Sequence, residues 1–98
     1  MSFKIIITPN AVLNIENAII YYKQNASNKV AKQFIEDYKK TFKDIQKTKY
    51  FQVFFEDFRG KSMKKFPFIV FYTINEELRT IVIKAVFNTH QDTTKYPL

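Results

Sequence analysis

The chain begins with an apolar strand pattern that gives way to a helical one. Residues 3–8 are rich in β-branched side chains and stop at Pro9, which predicts a short buried strand. Asn10 is a suitable N-cap for the helix that follows and runs to about Gln24. Apolar side chains recur in this helix at helical spacing and form one stripe: Ala11, Ile15, Ala18 and Tyr22.

The strongest periodic signal lies between Lys29 and about Lys47. There the apolar residues repeat at every third or fourth position: Val30, Ala31, Phe34, Ile35, Tyr38, Phe42 and Ile45. Lysines and carboxylates occupy the opposite face, so the pattern predicts an amphipathic helix of about five turns. Ser27, in the turn at residues 25–28, is placed to cap it. Two helices joined by so short a turn form an antiparallel hairpin.

The second half of the chain changes from helical to strand spacing. Residues 50–55 are aromatic and extended, and the single glycine, Gly60, indicates a turn or bulge. Residues 68–74 are apolar on both faces, which predicts a central strand covered by helices. The strand predicted at 80–87 alternates, and one of its faces is expected to carry Ile81, Ile83, Ala85 and Phe87.

These elements predict an α+β fold with the order β-α-α-β-β-β, in which a helical hairpin packs on one face of a small, mostly antiparallel sheet. We expect residues 1–98 to form a single domain, because 98 residues hold one core and not two. The absence of cysteine excludes disulfides, thiolate metal sites and a cysteine nucleophile, and it fits a reducing compartment. No apolar run suits a membrane span or a signal segment, so we expect a cytoplasmic protein without membrane contact.

Charge adds an expectation about partners. The formal net charge is +7, from 16 Lys and Arg against 9 Asp and Glu. Such an excess favours a negatively charged partner: nucleic acid, the ribosome surface or an acidic protein segment. Solubility alone is the alternative explanation.

Motifs for metal-dependent or covalent catalysis are nearly absent. One glycine excludes a glycine-rich phosphate loop. One histidine, His90, cannot build a multi-histidine metal site, and no carboxylate cluster compensates. We therefore expect neither a metal nor a cofactor.

A basic constellation remains as candidate chemistry. Its members are Arg59, Lys61, Lys64 and Lys65, with Lys84 expected on a neighbouring strand. Such groups hold phosphates and stabilise the extra charge of a phosphoryl transition state, and His90 is a candidate general acid or base. The alternative is that these charges only solubilise an exposed sheet edge.

The segments that carry a family resemblance follow one another in the second half of the chain: Phe51-Gln52-Val53, Arg59, Lys64-Lys65, Phe66-Pro67-Phe68, Phe71-Tyr72 and Ala85-Val86, with a polar tail that runs on to Tyr96. Together with the element order they resemble the RelE/ParE superfamily of toxins from bacterial type II toxin–antitoxin systems, and within it the plasmid stabilisation, ParE-like members.

The resemblance implies a toxin that inhibits growth by acting on DNA gyrase or on translation, and that a cognate antitoxin neutralises. A +7 toxin suits an acidic, partly disordered antitoxin that folds on binding. ParE-like members poison gyrase, whereas RelE-like members cleave messenger RNA on the ribosome without a metal. A third possibility is a degenerate basic binding domain without toxicity.

The candidate catalytic residues are Arg59, Lys61, Lys65 and His90, and the candidates for binding the target or a phosphate are Lys64, Lys84 and Tyr96. The tail carries Asn88, Gln91 and Thr93 where the family typically has histidine, arginine and proline. These departures argue against a vigorous ribonuclease.

Overall fold

Seven secondary-structure elements follow one another in the computed structural model, which describes residues 3–90. They are β1 (Lys4–Ile7), α1 (Pro9–Asn25), α2 (Asn28–Thr48), β2 (Val53–Phe55), β3 (Phe58–Ser62), β4 (Phe68–Asn75) and β5 (Thr80–Asn88). The strands form one sheet in the order β1-β5-β4-β3-β2. β1 runs parallel to β5 and the other pairs are antiparallel. The α+β prediction is confirmed. The predicted order has three strands after the helices, whereas the structure has four, because the short β2 is an additional strand.

Each helix begins at a hydroxyl side chain. Ser27 caps α2 as expected, because its hydroxyl accepts a hydrogen bond from the Val30 N–H at 3.1 Å. The expectation that Asn10 caps α1 is wrong. Thr8 is the N-cap, and Pro9, whose fixed φ suits the first helical position, already lies inside the helix.

The helices cover one face of the sheet and enclose the main core. Side chains on this face of β4 and β5 are fully or almost fully buried: Phe68, Val70, Tyr72, Ile81 and Ile83. From α2, Phe34 packs its ring edge-on against Phe68, with the ring centres 5.2 Å apart. The apolar stripe of α2 thus faces the sheet, as its periodicity predicted.

The other face of the sheet carries a second, smaller cluster. Ile69, Phe71, Ala85 and Phe87 are buried there, with Phe54, Phe55 and Phe58 packed against them. Gly60 lies beneath the Phe54 ring, and a Cβ on this residue would stand 2.6 Å from that ring. The single glycine of the chain therefore serves a close approach between a backbone and an aromatic side chain.

A bulge in β5 divides its side chains between the two clusters. Tyr72 pairs with Ile83 and Phe71 with Ala85, so Lys84 is an extra residue between the two pairs. The expectation that Ile81, Ile83, Ala85 and Phe87 share one face is therefore wrong. The first two belong to the main core and the last two to the second cluster.

β1 is more exposed than its sequence predicted. It lies at the edge of the sheet and pairs with β5 alone. Ile6 and Ile7 are 44% and 39% exposed, so the expectation of a buried strand is wrong. An edge strand has no neighbour to cover its outer side, which the apolar composition does not reveal.

Candidate functional site

Arg59 and Lys61 lie on the helix-covered side of the sheet. In the register of β3 and β4, Arg59 is opposite Tyr72 and Lys61 is opposite Val70. Directly opposed residues point to the same face, and Tyr72 and Val70 point into the main core. Both basic side chains are half-buried. Arg59 and Lys61 are therefore basic residues on a sheet face whose other residues are mostly apolar.

The chain segment that follows α2 crosses this face and contacts both cations. We call residues 49–52 the crossing segment. Lys49 has φ 67° and ψ −45°, and the Tyr50 N–H donates to the Thr48 carbonyl at 2.8 Å. Together these define a γ-turn of the strained kind. The helix therefore ends in a sharp reversal that directs the chain toward β3.

Tyr72 and Arg59 hold the crossing segment in place. The Tyr72 hydroxyl donates to the Lys49 carbonyl at 2.5 Å and accepts from the Phe51 N–H at 3.2 Å. The Arg59 Nη1 donates to the Phe51 carbonyl at 2.7 Å. A single buried phenol and one guanidinium thus satisfy three backbone groups of an irregular segment.

Two cation–π contacts complete this arrangement. The Arg59 guanidinium lies 5.3 Å from the centre of the Tyr50 ring, and the Lys61 Nζ lies 5.2 Å from the centre of the Phe51 ring. Tyr50 is itself oriented, because its hydroxyl donates to Glu76 Oε2 at 2.7 Å. The cations are therefore positioned by aromatic neighbours.

The two phenols of this region stay protonated at neutral pH. Burial raises the pKa of Tyr72, although the hydrogen bond from Phe51 and the charge of Arg59 act in the opposite direction. The hydrogen bond to Glu76 is the main cause that raises the pKa of Tyr50. Both hydroxyls therefore serve as hydrogen-bond donors and not as bases.

Lys64 and Lys65 lie at a different place, where the connection from β3 to β4 meets α2. The buried carboxylate of Asp37 accepts a hydrogen bond from the Lys65 N–H at 2.8 Å, which fixes this connection to the helix. A cleft of about 90 Å³ is lined here by Lys64 and Lys65 together with Gln33, Glu36, Asp37 and Lys40. The lysine pair therefore continues a surface of α2.

His90 lines a larger groove, of about 470 Å³, between α1 and the ends of β4 and β5. The structure does not bring it to Arg59. On β4, the partner of Arg59 and the partner of Asn88 are four residues apart, or about 13 Å along the strand. β3 and β5 also flank β4 on opposite sides, which adds about 9–10 Å across the sheet.

The remaining candidates lie apart from this basic pair. The expectation that Lys84 sits on a strand next to β3 is wrong, because β4 separates β3 from β5. The backbone carbonyl of Lys84 accepts from Asn10 Nδ2 at 3.1 Å. Tyr96 lies outside the described residues.

Comparisons with known proteins were informative only at the level of structure. No family model matches the sequence, and no curated protein matches it. A chain of the chromosomal ParDE toxin–antitoxin system from P. aeruginosa superposes with a TM-score of 0.77 at 13% identity, covering 88% of this chain and 95% of that one. A chain of the RelBE2 toxin–antitoxin complex from Mycobacterium tuberculosis superposes with a TM-score of 0.58 at 13% identity, covering 90% and 99%.

The chain has the RelE/ParE fold. In this chain the fold consists of two helices packed on a five-stranded mixed sheet, with one parallel pair at its edge. The α+β fold predicted from the sequence pattern and the RelE/ParE-like fold implied by the resemblance are both confirmed.

On this RelE/ParE fold the described candidates other than Lys84 form three separate groups. Arg59 and Lys61 adjoin the crossing segment, Lys64 and Lys65 adjoin α2, and His90 adjoins α1. Within residues 3–90, no three His, Cys, Asp or Glu side chains come together in a group that could hold a metal ion. In the same range, no helix is long and apolar enough to cross a membrane. The arrangement suits binding of anions by Arg59 and Lys61, with His90 remote from them.

Sequence reasoning missed the residues that organise this site. Tyr72, Tyr50 and Lys49 were not among the candidates, yet they shape the crossing segment. The positive φ of Lys49 has no signal in the sequence, because lysine rarely adopts it. For Tyr72 there was a usable signal, since a tyrosine in a strand that is apolar on both faces must find a partner for its hydroxyl.

Proposed function

We propose that this protein is the toxin of a type II toxin–antitoxin system, which inhibits growth by acting on DNA gyrase or on translation in the bacterial cytoplasm. The observation that carries the proposal is the fold. It matches a chain of the ParDE system over 95% of that chain's length and a chain of the RelBE2 complex over 99%. Because the similarity covers almost the whole length of both neighbours, it includes the elements that surround the site.

The geometry supports inhibition by binding over cleavage of messenger RNA. A ribonuclease built from Arg59, Lys61, Lys65 and His90 needs these groups around one phosphate. The β4 partners of Arg59 and of Asn88, which is two residues before His90, are instead four residues apart, and β3 and β5 lie on opposite sides of β4. One N–H group of Arg59 also donates a hydrogen bond to the Phe51 carbonyl already.

We further propose that a cognate antitoxin covers α1 and neutralises the protein. Val12, Leu13, Ile20 and Tyr21 are between 40% and 59% exposed on this helix, which is more apolar surface than a solvated helix usually shows. A net charge of +7 complements an acidic partner. The product of the neighbouring open reading frame is the candidate antitoxin.

Controlled expression in a bacterial host tests the proposal. We expect growth arrest that co-expression of the neighbouring product relieves. Loss of the Lys61 and Lys65 charges in K61Q/K65Q should weaken the arrest, whereas K4Q/K23Q, which removes two exposed charges elsewhere, should not. Normal growth at full expression would contradict the toxin assignment.

The cellular target is read in the same cells. DNA breaks that depend on gyrase indicate action on gyrase, and codon-linked cuts mapped by primer extension indicate a ribosome-dependent endoribonuclease. We expect the arrest to occur without codon-linked cuts, because His90 is remote from Arg59.

A further inference from the structure

The outer face of α2 carries a row of lysines with a regular geometry. Successive residues of an α-helix are turned by about 100°, so six lysines fall within an arc of about 100°: Lys29, Lys32, Lys39, Lys40, Lys43 and Lys47. All six side chains are exposed. The row is about 27 Å long at 1.5 Å per residue. It lies opposite the buried stripe that contains Phe34 and Ile45.

Lys64 and Lys65 extend the row beyond the helix. Both are exposed, and the hydrogen bond from the Lys65 N–H to Asp37 holds their loop against α2. Lys40 lines the same cleft as this pair. We call the six helical lysines with Lys64 and Lys65 the α2 lysine surface. It carries half of the 16 basic residues of the chain.

We propose that the α2 lysine surface binds the phosphate backbone of double-stranded DNA. The proposal goes beyond the toxin assignment and does not depend on it, because binding is measured with the purified chain. A duplex carries one negative charge per about 1.7 Å of its axis, so a row of this length faces many phosphates at once. A helix of about 10–12 Å diameter also fits a major groove about 12 Å wide, with lysines reaching both phosphate rims.

The composition of the surface favours a nucleic acid over a protein partner. Protein interfaces have an apolar core with aromatic anchors. None of the exposed large hydrophobic side chains in residues 3–90 lies on α2, whereas four lie on α1. The cations of the surface are all ammonium groups, which contact phosphates without reading bases.

Two further features favour duplex DNA among nucleic acids. Single strands are held by aromatic side chains on which bases stack, and the α2 lysine surface has none. Duplex RNA has a deep and narrow major groove that does not admit a helix. Glu36 lies within the lysine arc and is exposed, so it opposes binding.

The test is fluorescence anisotropy with a labelled 20-base-pair DNA duplex of mixed sequence, titrated with the full chain at several salt concentrations. We expect the logarithm of the binding constant to fall with the logarithm of salt with a slope of about −4, as for roughly four phosphate contacts. In K32Q/K39Q/K43Q, affinity at low salt should drop at least tenfold and the slope should lose about 0.9 per contact removed.

A matched control separates this surface from net charge. K4Q/K23Q/R79Q removes three exposed charges outside the α2 lysine surface and should keep the affinity within threefold. A second pair tests the sign, since E36Q should tighten binding and E16Q, on α1, should not. Circular dichroism confirms that the variants keep their helices.

Several results would overturn the proposal. These are equal losses in the two triple variants, a slope near zero, or no binding at low salt. An RNA duplex or a glutamate-rich peptide that binds more than threefold tighter than the DNA duplex would also overturn it, in favour of that partner.

Discussion

The two helices of the hairpin bury their inner faces on the same sheet, but their solvent-exposed faces differ in composition. The inner side of α1 buries mostly small side chains, namely Ala11, Ile15 and Ala18. Its outer side exposes large apolar residues. The inner side of α2 carries Phe34, Phe42 and Ile45, and its outer side is dominated by lysine.

This difference distinguishes a helix that binds a partner from a helix that stabilises its own domain, which overall hydrophobicity does not. A helix that is apolar on several sides indicates a partner, because an isolated domain has no reason to expose that surface. A helix with a sharp division into apolar and charged faces is stabilised by its own domain. On this basis α2 anchors the fold, and the proposal that α1 binds a protein partner follows from its exposed apolar residues.

The largest effect is expected inside α2. Phe34→Ala removes a fully buried ring and should lower the free energy of unfolding by about 3–5 kcal/mol. Ile20→Ala on α1 removes a side chain that is 51% exposed and should change it by less than about 0.5 kcal/mol. Urea unfolding followed by circular dichroism measures both. Equal losses would show that α1 also anchors the core through its outer side.

How far the sequence predicts this molecule depends on the kind of feature. The periodicity of α2 predicted its apolar core residues because burial and helical spacing coincide there, but it did not predict the burial of Asp37 and Thr41. The division of β5 between two clusters was not predictable, since the bulge at Lys84 breaks the period of two on which the reading relies.

The candidate site was predicted only in part, for a related reason. Proximity along the chain correctly grouped Arg59 with Lys61, which share a face of one strand. The distance between Arg59 and His90 instead depends on strand order and register, which no local pattern contains. The strained turn at Lys49 belongs to the same class of feature, because tertiary contacts impose it.

The second prediction concerns the outer side of α1 and rests on the proposed function. Leu13→Glu with Ile20→Glu places two charges on the apolar surface and should weaken binding of the neighbouring gene product about 100-fold, or roughly 2.7 kcal/mol. K32Q/K39Q/K43Q on α2 should change this affinity by less than threefold. Isothermal titration calorimetry with the folded variants measures both. The reverse pattern would assign the partner to α2.

The third prediction concerns the junction between α2 and the sheet. Tyr72→Phe leaves the Lys49 carbonyl and the Phe51 N–H without their buried partner and should cost about 1–3 kcal/mol of stability. Tyr21→Phe, on the exposed side of α1, is the control and should cost nothing measurable. The urea unfolding midpoints of both variants measure this difference. An unchanged midpoint in Tyr72→Phe would show that the phenol does not stabilise the crossing segment.

Tyr72 also makes a prediction about pH. Burial raises the pKa of its phenol above the ordinary value of 10.0, so the folded state keeps a proton that the unfolded state releases. The stability from this group is present below pH 10 and is lost as the pH rises through the folded-state pKa. Tyr22 and Tyr38 act in the same direction, because burial raises their pKa values. Tyr72→Phe should therefore reduce the alkaline loss of stability without abolishing it.

The smallest effect compares the caps of the two helices. Ser27→Ala removes one hydrogen bond to the first turn of α2 and should cost about 1 kcal/mol. Thr8→Ala should cost about 1 kcal/mol more, because the Thr8 hydroxyl caps α1 and also donates to the Ile83 carbonyl at 2.8 Å. Thr8→Ser keeps both bonds and should stay close to the parent protein in urea unfolding. If Ser27→Ala proves the costlier change, α2 depends on its cap as well as on its apolar face, and the account of α2 as a helix stabilised mainly by its buried face would fail.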